Sequence, residues 1–396
     1  MKLSTVVFVT TLVQGLASMV VILPASVAPE LASAHGVEAS LIGFQVSIVY
    51  FGAMVTSALG GTIVRRWGPL RCSQMALAFA AIGCSLTTLP WLSAIALGAV
   101  FIGFGYGLTN PPAAQVLMKV TKPANRNLIF SIKQTGVPLG GVVAGLLAPT
   151  IALQFGWQTA LLAAAMVTVA VMLLIQPLRA AWDDEREPGL GFTAAPLSDI
   201  RMILRHRNLR LISMASFAFS AMQVSLVTFA VTMLVADVSF TLVEAGVVLA
   251  VLQVFGVSGR ILWGWVADRL GDGNKVLLGV TLITISAAVM TGFLDPQTTK
   301  VLVYVVMALF GFTAVGWNGV YLAEVARLAP VNQIGSATGA SLFVTYFGVV
   351  LGPVAFAGIY SKVGAYTTAF SLFALVSFMG LIFILLARKR AGKTSP

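Results

Sequence analysis

Charge is what this sequence has least of. Asp, Glu, Lys and Arg make up 9% of its 396 residues, against about 25% in a soluble domain, and that excludes a water-soluble enzyme. Cysteine is nearly absent too: Cys72 and Cys84 lie in one apolar run with no second thiol or histidine beside them, so neither a disulfide framework nor a metal set is expected. The two histidines, His35 and His206, fall in polar connections. No G-x-x-x-x-G-K-[ST] loop is present, which excludes a nucleotide-driven pump. The chain is therefore expected to be neither an enzyme nor a cofactor protein. Carboxylates are scarce where they would be most costly, since none of the 13 Asp and Glu residues occupies the middle of an apolar run.

What is abundant is apolar surface, at 58% of residues. A spanning helix takes about 20 apolar residues, and the chain divides into twelve such runs: 4–28, 41–63, 72–91, 94–118, 128–153, 157–178, 209–235, 242–267, 275–294, 301–323, 335–360 and 367–387. The first begins after Lys2 and ends near a small-residue stretch that a signal peptide also shows, but its apolar core is longer than an h-region, and removing it leaves an odd number of spans. Between the sixth and seventh runs lies the longest polar interval, with the mixed-charge stretch from Asp183 to Glu187. The expected organisation is a six-helix bundle over residues 1–178, a linker over 179–208, a second bundle over 209–388 and a tail over 389–396.

Basic residues set the orientation. Lys2, Arg65, Arg66, Arg71, Lys119, Lys122, Arg126, the 179–210 stretch, Arg269, Lys275, Arg327 and the tail fall on one side of the twelve runs, with only Lys300 and Lys362 on the other. The positive-inside rule then puts both termini in the cytoplasm of a bacterial-type inner membrane. The net charge of +11 reads as an orientation signal in a lipid bilayer, not as a nucleic-acid surface.

The two halves repeat. Gly61 to Gly68 follows the second run as Gly264 to Gly271 follows the eighth; Asn110 in the fourth corresponds to Asn318 in the tenth; Gly136 and Gly140 match Gly348 and Gly352; Gln14 and Gln223 occupy comparable places in the first and seventh. With twelve spans, a central linker and G-x-x-x-D-R-x-G met in full by Gly264, Asp268, Arg269 and Gly271, the chain resembles the major facilitator superfamily over its full length. That resemblance implies an all-α membrane protein of two pseudo-symmetric six-helix bundles, working as a monomer. It also implies that the loop carboxylate latches one side of the transporter. The first copy departs from the motif: Gly61, Arg66 and Gly68 are in place, but Arg65 stands where the family has Asp. Asp268 is then the better latch candidate, in a charge cluster with Arg269, Glu324 and Arg327.

Two cations stand inside spans, where a charge costs about 2.5–3.5 kcal/mol on insertion scales. Lys133 lies seven residues past Arg126, and Arg260 eight before Asp268, each roughly 10 Å from the same end at 1.5 Å per residue. Together they point to a hydrated cavity that receives an anion. A planar guanidinium suits two carboxylate oxygens, and a lysine adds a point charge. Gln14, Asn110, Gln134, Gln223, Asn318 and Tyr346 are the neutral polar candidates for the same site. Asn110 precedes Pro111 and Pro112, expected to break the fourth helix and free carbonyls.

The spacing from Arg260 to Gly264 resembles that of bacterial monocarboxylate, oxalate/formate and cyanate-type permeases, which implies a small mono- or dicarboxylate as substrate. Inorganic anions of the nitrate or cyanate kind, and export of hydrophobic or cationic compounds, stay open as alternatives. Coupling to a proton, exchange for a counter-anion and uniport are equally open, because Gly256 stands one turn before Arg260 where proton-coupled relatives carry Asp.

Overall fold

The computed structural model describes residues 1–36, 39–189, 195–330 and 332–388; the expected tail, with Lys389, Arg390 and Lys393, lies outside them. Twelve helices are long and apolar enough to cross a bilayer: Leu3–Ser26, Gln45–Trp67, Pro69–Thr87, Leu92–Val120, Pro123–Phe155, Trp157–Trp182, Arg207–Ala236, Glu244–Leu270, Gly273–Thr291, Lys300–Leu328, Ile334–Val363 and Tyr366–Arg388. Each expected run overlaps one of them, with shifted ends. Local chemistry sets several of those ends. The eighth span opens on a capping box, in which Thr241 and Glu244 satisfy each other's backbone N–H. The ninth opens on Asp272, whose carboxylate accepts from the Lys275 N–H at 3.2 Å. The loop motif closes on a glycine in both copies because the backbone there turns left-handed, with φ of 90° at Gly68 and 65° at Gly271.

Contacts group the described residues into two compact units. One holds Met1–Lys122, Ile132–Ile203 and Ala329–Phe343; the other holds Pro123–Ser131, Leu204–Leu328 and Val344–Pro396. Each unit thus includes a short segment from the opposite half of the sequence. The start of the linker packs within the first unit: Asp183 is 4% exposed, and its carboxylate accepts from the backbone N–H of Leu70 at 2.7 Å and of Arg71 at 3.3 Å, capping the third span. In the second unit an aromatic cluster of Phe310, Phe356, Phe370 and Phe373 forms the core, with the Phe356 and Phe370 rings 4.4 Å apart.

The repeat is visible in packing. A Cβ on Gly140 would collide with the Gly15 carbonyl, and one on Gly136 with the Thr11 carbonyl, so the first and fifth spans touch backbone to backbone. Gly348 and Gly352 stand in the same relation to Phe217 and Ala221 in the seventh and eleventh spans. Glycine alone does not define this contact. Gly145, in the same helix, has nothing within 4 Å of its missing Cβ.

Breaks in three spans position the polar residues. The fourth span divides into Leu92–Gly107 and Asn110–Val120, the fifth into Arg126–Gln134 and Gly136–Phe155, the tenth into Lys300–Ala314 and Asn318–Leu328. Pro111 and Pro112 lie in the first turn of their helix, where missing N–H groups cost nothing. The carbonyls that Pro111 and Pro112 leave without a helical N–H are those of Gly107 and Leu108. The Gly107 oxygen is taken by the Ser57 hydroxyl at 3.0 Å. At the proline-free break of the tenth span, the Val315 carbonyl accepts from Arg260 and Asn318.

Candidate anion-recognition residues and loop motifs

Lys133 closes the first half of the broken fifth span and is 2% exposed. Its ammonium donates to Gln14 Oε1 at 2.6 Å and to Asn110 Oδ1 at 2.5 Å. Three of the expected site residues, from three different spans, therefore meet at one cation. Both amides turn oxygen toward the lysine, the arrangement that charge-assisted bonding favours. Gln14 is fully buried, and its Nε2 makes no hydrogen bond. That atom was sacrificed to orient the oxygen.

In the second unit Arg260 is also 2% exposed, and its Nε donates to the Val315 carbonyl at 3.1 Å. Asn318 reaches the same carbonyl through Nδ2 at 3.4 Å and donates to Gln223 Oε1 at 3.0 Å. Trp317 Nε1 donates to that oxygen as well, at 2.9 Å. Gln14 and Asn110 in one unit, and Gln223 and Asn318 in the other, are thus the same pair wired in two ways. The residue that decides the wiring follows from the repeat: the offset that aligns Gly136 with Gly348 aligns Lys133 with Thr345. Thr345 is neutral and shares hydroxyl contacts with Ser216 at 2.7 Å and Tyr321 at 3.2 Å. Without an ammonium there, Gln223 takes its donors from Trp317 and Asn318. Gln134 and Tyr346 are buried at matching repeat positions, each 4% exposed.

Residues 7–353 match the family model described as Major Facilitator Superfamily. The chain belongs to the major facilitator superfamily. Among its relatives, the hexuronate transporter of Bacillus subtilis is 22% identical over 386 residues, covering 90% of this chain and 87% of that protein. The benzoate transport protein of Acinetobacter baylyi is 22% identical over 347 residues, covering 79% and 74%. Among solved structures, the E. coli fucose:proton symporter shares the fold with a TM-score of 0.78 at 15% identity, covering 98% of this chain and 100% of that one.

The superfamily's loop motif behaves differently in its two copies. In the second, the Asp268 carboxylate accepts from the backbone N–H groups of Asn127 and Leu128 and from Asn127 Nδ2, all at 2.9 Å. It caps the helix Arg126–Gln134, whose N-terminal dipole favours an anion. Gly264 lies against Ser131 with no room for a Cβ. The expected four-residue cluster is only partly formed. Glu324 pairs with Arg327 at 2.6 Å and accepts from Asn274 at 3.3 Å, whereas Arg269 lies over the Trp265 ring at 5.0 Å.

In the first copy Arg65 pairs with Glu187 of the linker at 2.9 Å, and Glu187 donates its N–H to the Arg65 carbonyl at 2.7 Å. Arg65 holds the Glu187 carboxyl below the ordinary range. Gly61 packs on Ser336 as Gly264 does on Ser131, and Ser336 donates its hydroxyl to Asp199 of the helix Ala195–Arg205. Burial pushes the Asp199 carboxyl up, with Ser336 and Arg65 acting against it. The acid that the first motif lacks is thus met by two linker carboxylates. The signal for Glu187 was in the sequence, in the acidic stretch directly after the sixth span, but nothing in its spacing says which loop it folds back on.

Proposed function

We infer that this transporter moves a small organic monocarboxylate by alternating access, with Lys133 and Arg260 as its two cationic contacts. The observation that carries the reading is the buried Lys133 ammonium held by two amide oxygens inside the spans, a placement too costly to keep without use. Arg260, the spacing it shares with carboxylate permeases, and the lack of mid-span acids in the sequence support an anionic over a cationic cargo. Hexuronate and benzoate are both monocarboxylates, and relatives that carry them favour that class over inorganic anions or lipophilic cations. Asn110, Gln14, Gln134, Gln223, Asn318 and Tyr346 supply neutral donors and acceptors around the cations. Asp268 serves as the latch on the basic, cytoplasmic side, releasing Asn127 and Leu128 when that side opens; Asp199 and Glu187 take over the part that Arg65 cannot play. Because one chain carries both bundles, a monomer suffices.

Counterflow in proteoliposomes tests the reading, using labelled glucuronate, benzoate, succinate, nitrate, cyanate and a lipophilic cation. Exchange of monocarboxylates is expected. Accumulation of the cation alone would refute it, and nitrate or cyanate alone would shift the cargo to inorganic anions.

A further inference from the structure

On the basic side of the first unit, a cleft of about 450 Å³ is lined by Arg66, Trp67, Arg71, Met75, Arg179, Arg186 and Pro188. Among the described residues, four guanidinium groups and no carboxylate line it. The acids nearby are engaged elsewhere: both Asp183 oxygens accept from the backbone of Leu70 and Arg71, and Glu187 binds Arg65. Arg179 makes a long ion pair with Asp183, 3.8 Å through Nε, which neutralises one of the four guanidinium groups in part. Arg71 is held by Gln74 at 2.9 Å, and Gln74 in turn by Gln176 at 2.8 Å, so the cleft is braced rather than a chance gathering of mobile side chains. Its remaining lining is the Trp67 indole, with the Arg66 guanidinium 5.6 Å from the ring centroid, and the Met75 thioether. Trp67 ends the second span and Met75 lies in the second turn of the third. That depth is the level of lipid phosphates, where tryptophan prefers to sit.

We propose that this cleft binds the phosphate-ester headgroup of an anionic phospholipid. Arginine forks match phosphate oxygens in pairs, and Trp67 with Met75 provides the apolar flank that an acyl glycerol needs and a free phosphate ion does not. The bound lipid would join the loop after the second span to the start of the linker, since Arg66 and Arg186 stand on those two segments. The site is separate from Lys133 and Arg260 and does not depend on what is transported.

Native mass spectrometry of the purified transporter with cardiolipin, phosphatidylglycerol or phosphatidylethanolamine tests the proposal, with inorganic phosphate as a competing arm. Cardiolipin and phosphatidylglycerol should bind in preference to phosphatidylethanolamine. Replacing Arg66, Arg71 and Arg186 together with Gln should weaken cardiolipin about a hundredfold, at about fivefold per arginine. Replacing Lys2, Lys122 and Lys275 with Gln removes as much charge from the same side and should change it less than threefold. Equal losses in the two triple variants would overturn the site in favour of general surface charge. Full displacement of lipid by inorganic phosphate at matched phosphate concentration would overturn the lipid assignment in favour of an ion site. Should the triple variant fail to fold, Arg186→Gln alone, at an exposed linker position, is expected to lose about fivefold; no loss there overturns the proposal equally.

Discussion

Replacing Lys133 with Gln removes one buried charge and keeps a side chain able to donate. In the native protein the ammonium makes two charge-assisted bonds, to Gln14 Oε1 at 2.6 Å and Asn110 Oδ1 at 2.5 Å. Charge-assisted bonds contribute about 1.5–3 kcal/mol each and neutral ones about 0.5–1.5. The variant therefore loses about 2–3 kcal/mol from the pair. Against this, it no longer keeps a charge in the spans, a cost of about 2.5–3.5 kcal/mol. The two nearly cancel, so the melting temperature should stay within a few degrees.

An anion feels only the loss. A charged contact becomes a neutral one, which removes about 1–1.5 kcal/mol of affinity, or about fivefold to tenfold. Calorimetric titration of wild type and Lys133→Gln with glucuronate and benzoate, at fixed pH and ionic strength, measures it. A folded variant that binds both within twofold of wild type would refute the role given to Lys133. A lower melting temperature with unchanged affinity would make Lys133 a structural strut for Gln14 and Asn110. Titration with a dicarboxylate adds a finer test, since succinate losing far more than benzoate would mean that each cation holds its own carboxylate.

Arg260→Lys keeps the charge but not the planar fork or the Nε bond to Val315, so counterflow should fall at least tenfold with the protein still folded; near-normal rates would leave Arg260 structural. Gly140→Leu forces a side chain into the Gly15 carbonyl and should cost about 3 kcal/mol or more, whereas Gly145→Ala, with open space around it, should be neutral or slightly stabilising in thermal melts. Burial holds the Asp183 carboxyl above the ordinary range, against the lowering effect of the Leu70 and Arg71 N–H groups. The folded chain thus takes up this proton before the unfolded one. Asp183 accordingly contributes stability that is fully present below about pH 3.9 and is lost as pH rises through its folded value. Asp183→Asn should flatten that part of the melting-temperature profile above about pH 3.9, and an unchanged slope would place the titration elsewhere.

Sequence alone determined the features that follow from composition and period. Twelve apolar runs, their basic-sided connections and the G-x-x-x-D-R-x-G loop from Gly264 to Gly271 led to twelve spans and to the superfamily, because a bilayer leaves a chain so apolar few alternatives. The costly residues were equally legible: Lys133 and Arg260 stand out because charge in a span is rare. The close contacts of Gly136 and Gly140, repeated at Gly348 and Gly352, were half visible. Spacing named them, but only packing separated them from Gly145, which touches nothing.

Partners were not legible, because hydrogen bonding in a helical bundle joins residues far apart in sequence. Lys133 meets Gln14 across 119 positions, Asp268 meets Asn127 across 141, and Arg65 meets Glu187 across 122. Nor did the sequence show where the carbonyls at the breaks would go: Val315, in a span without proline, accepts from Arg260, and Gly107, ahead of Pro111, from Ser57. The prolines occupy a helix start that needs no N–H there, and Ser57, from another span, takes the Gly107 oxygen that Pro111 leaves. Only the folded chain decides which donor meets each carbonyl at a break, and Val315 is the one that holds Arg260.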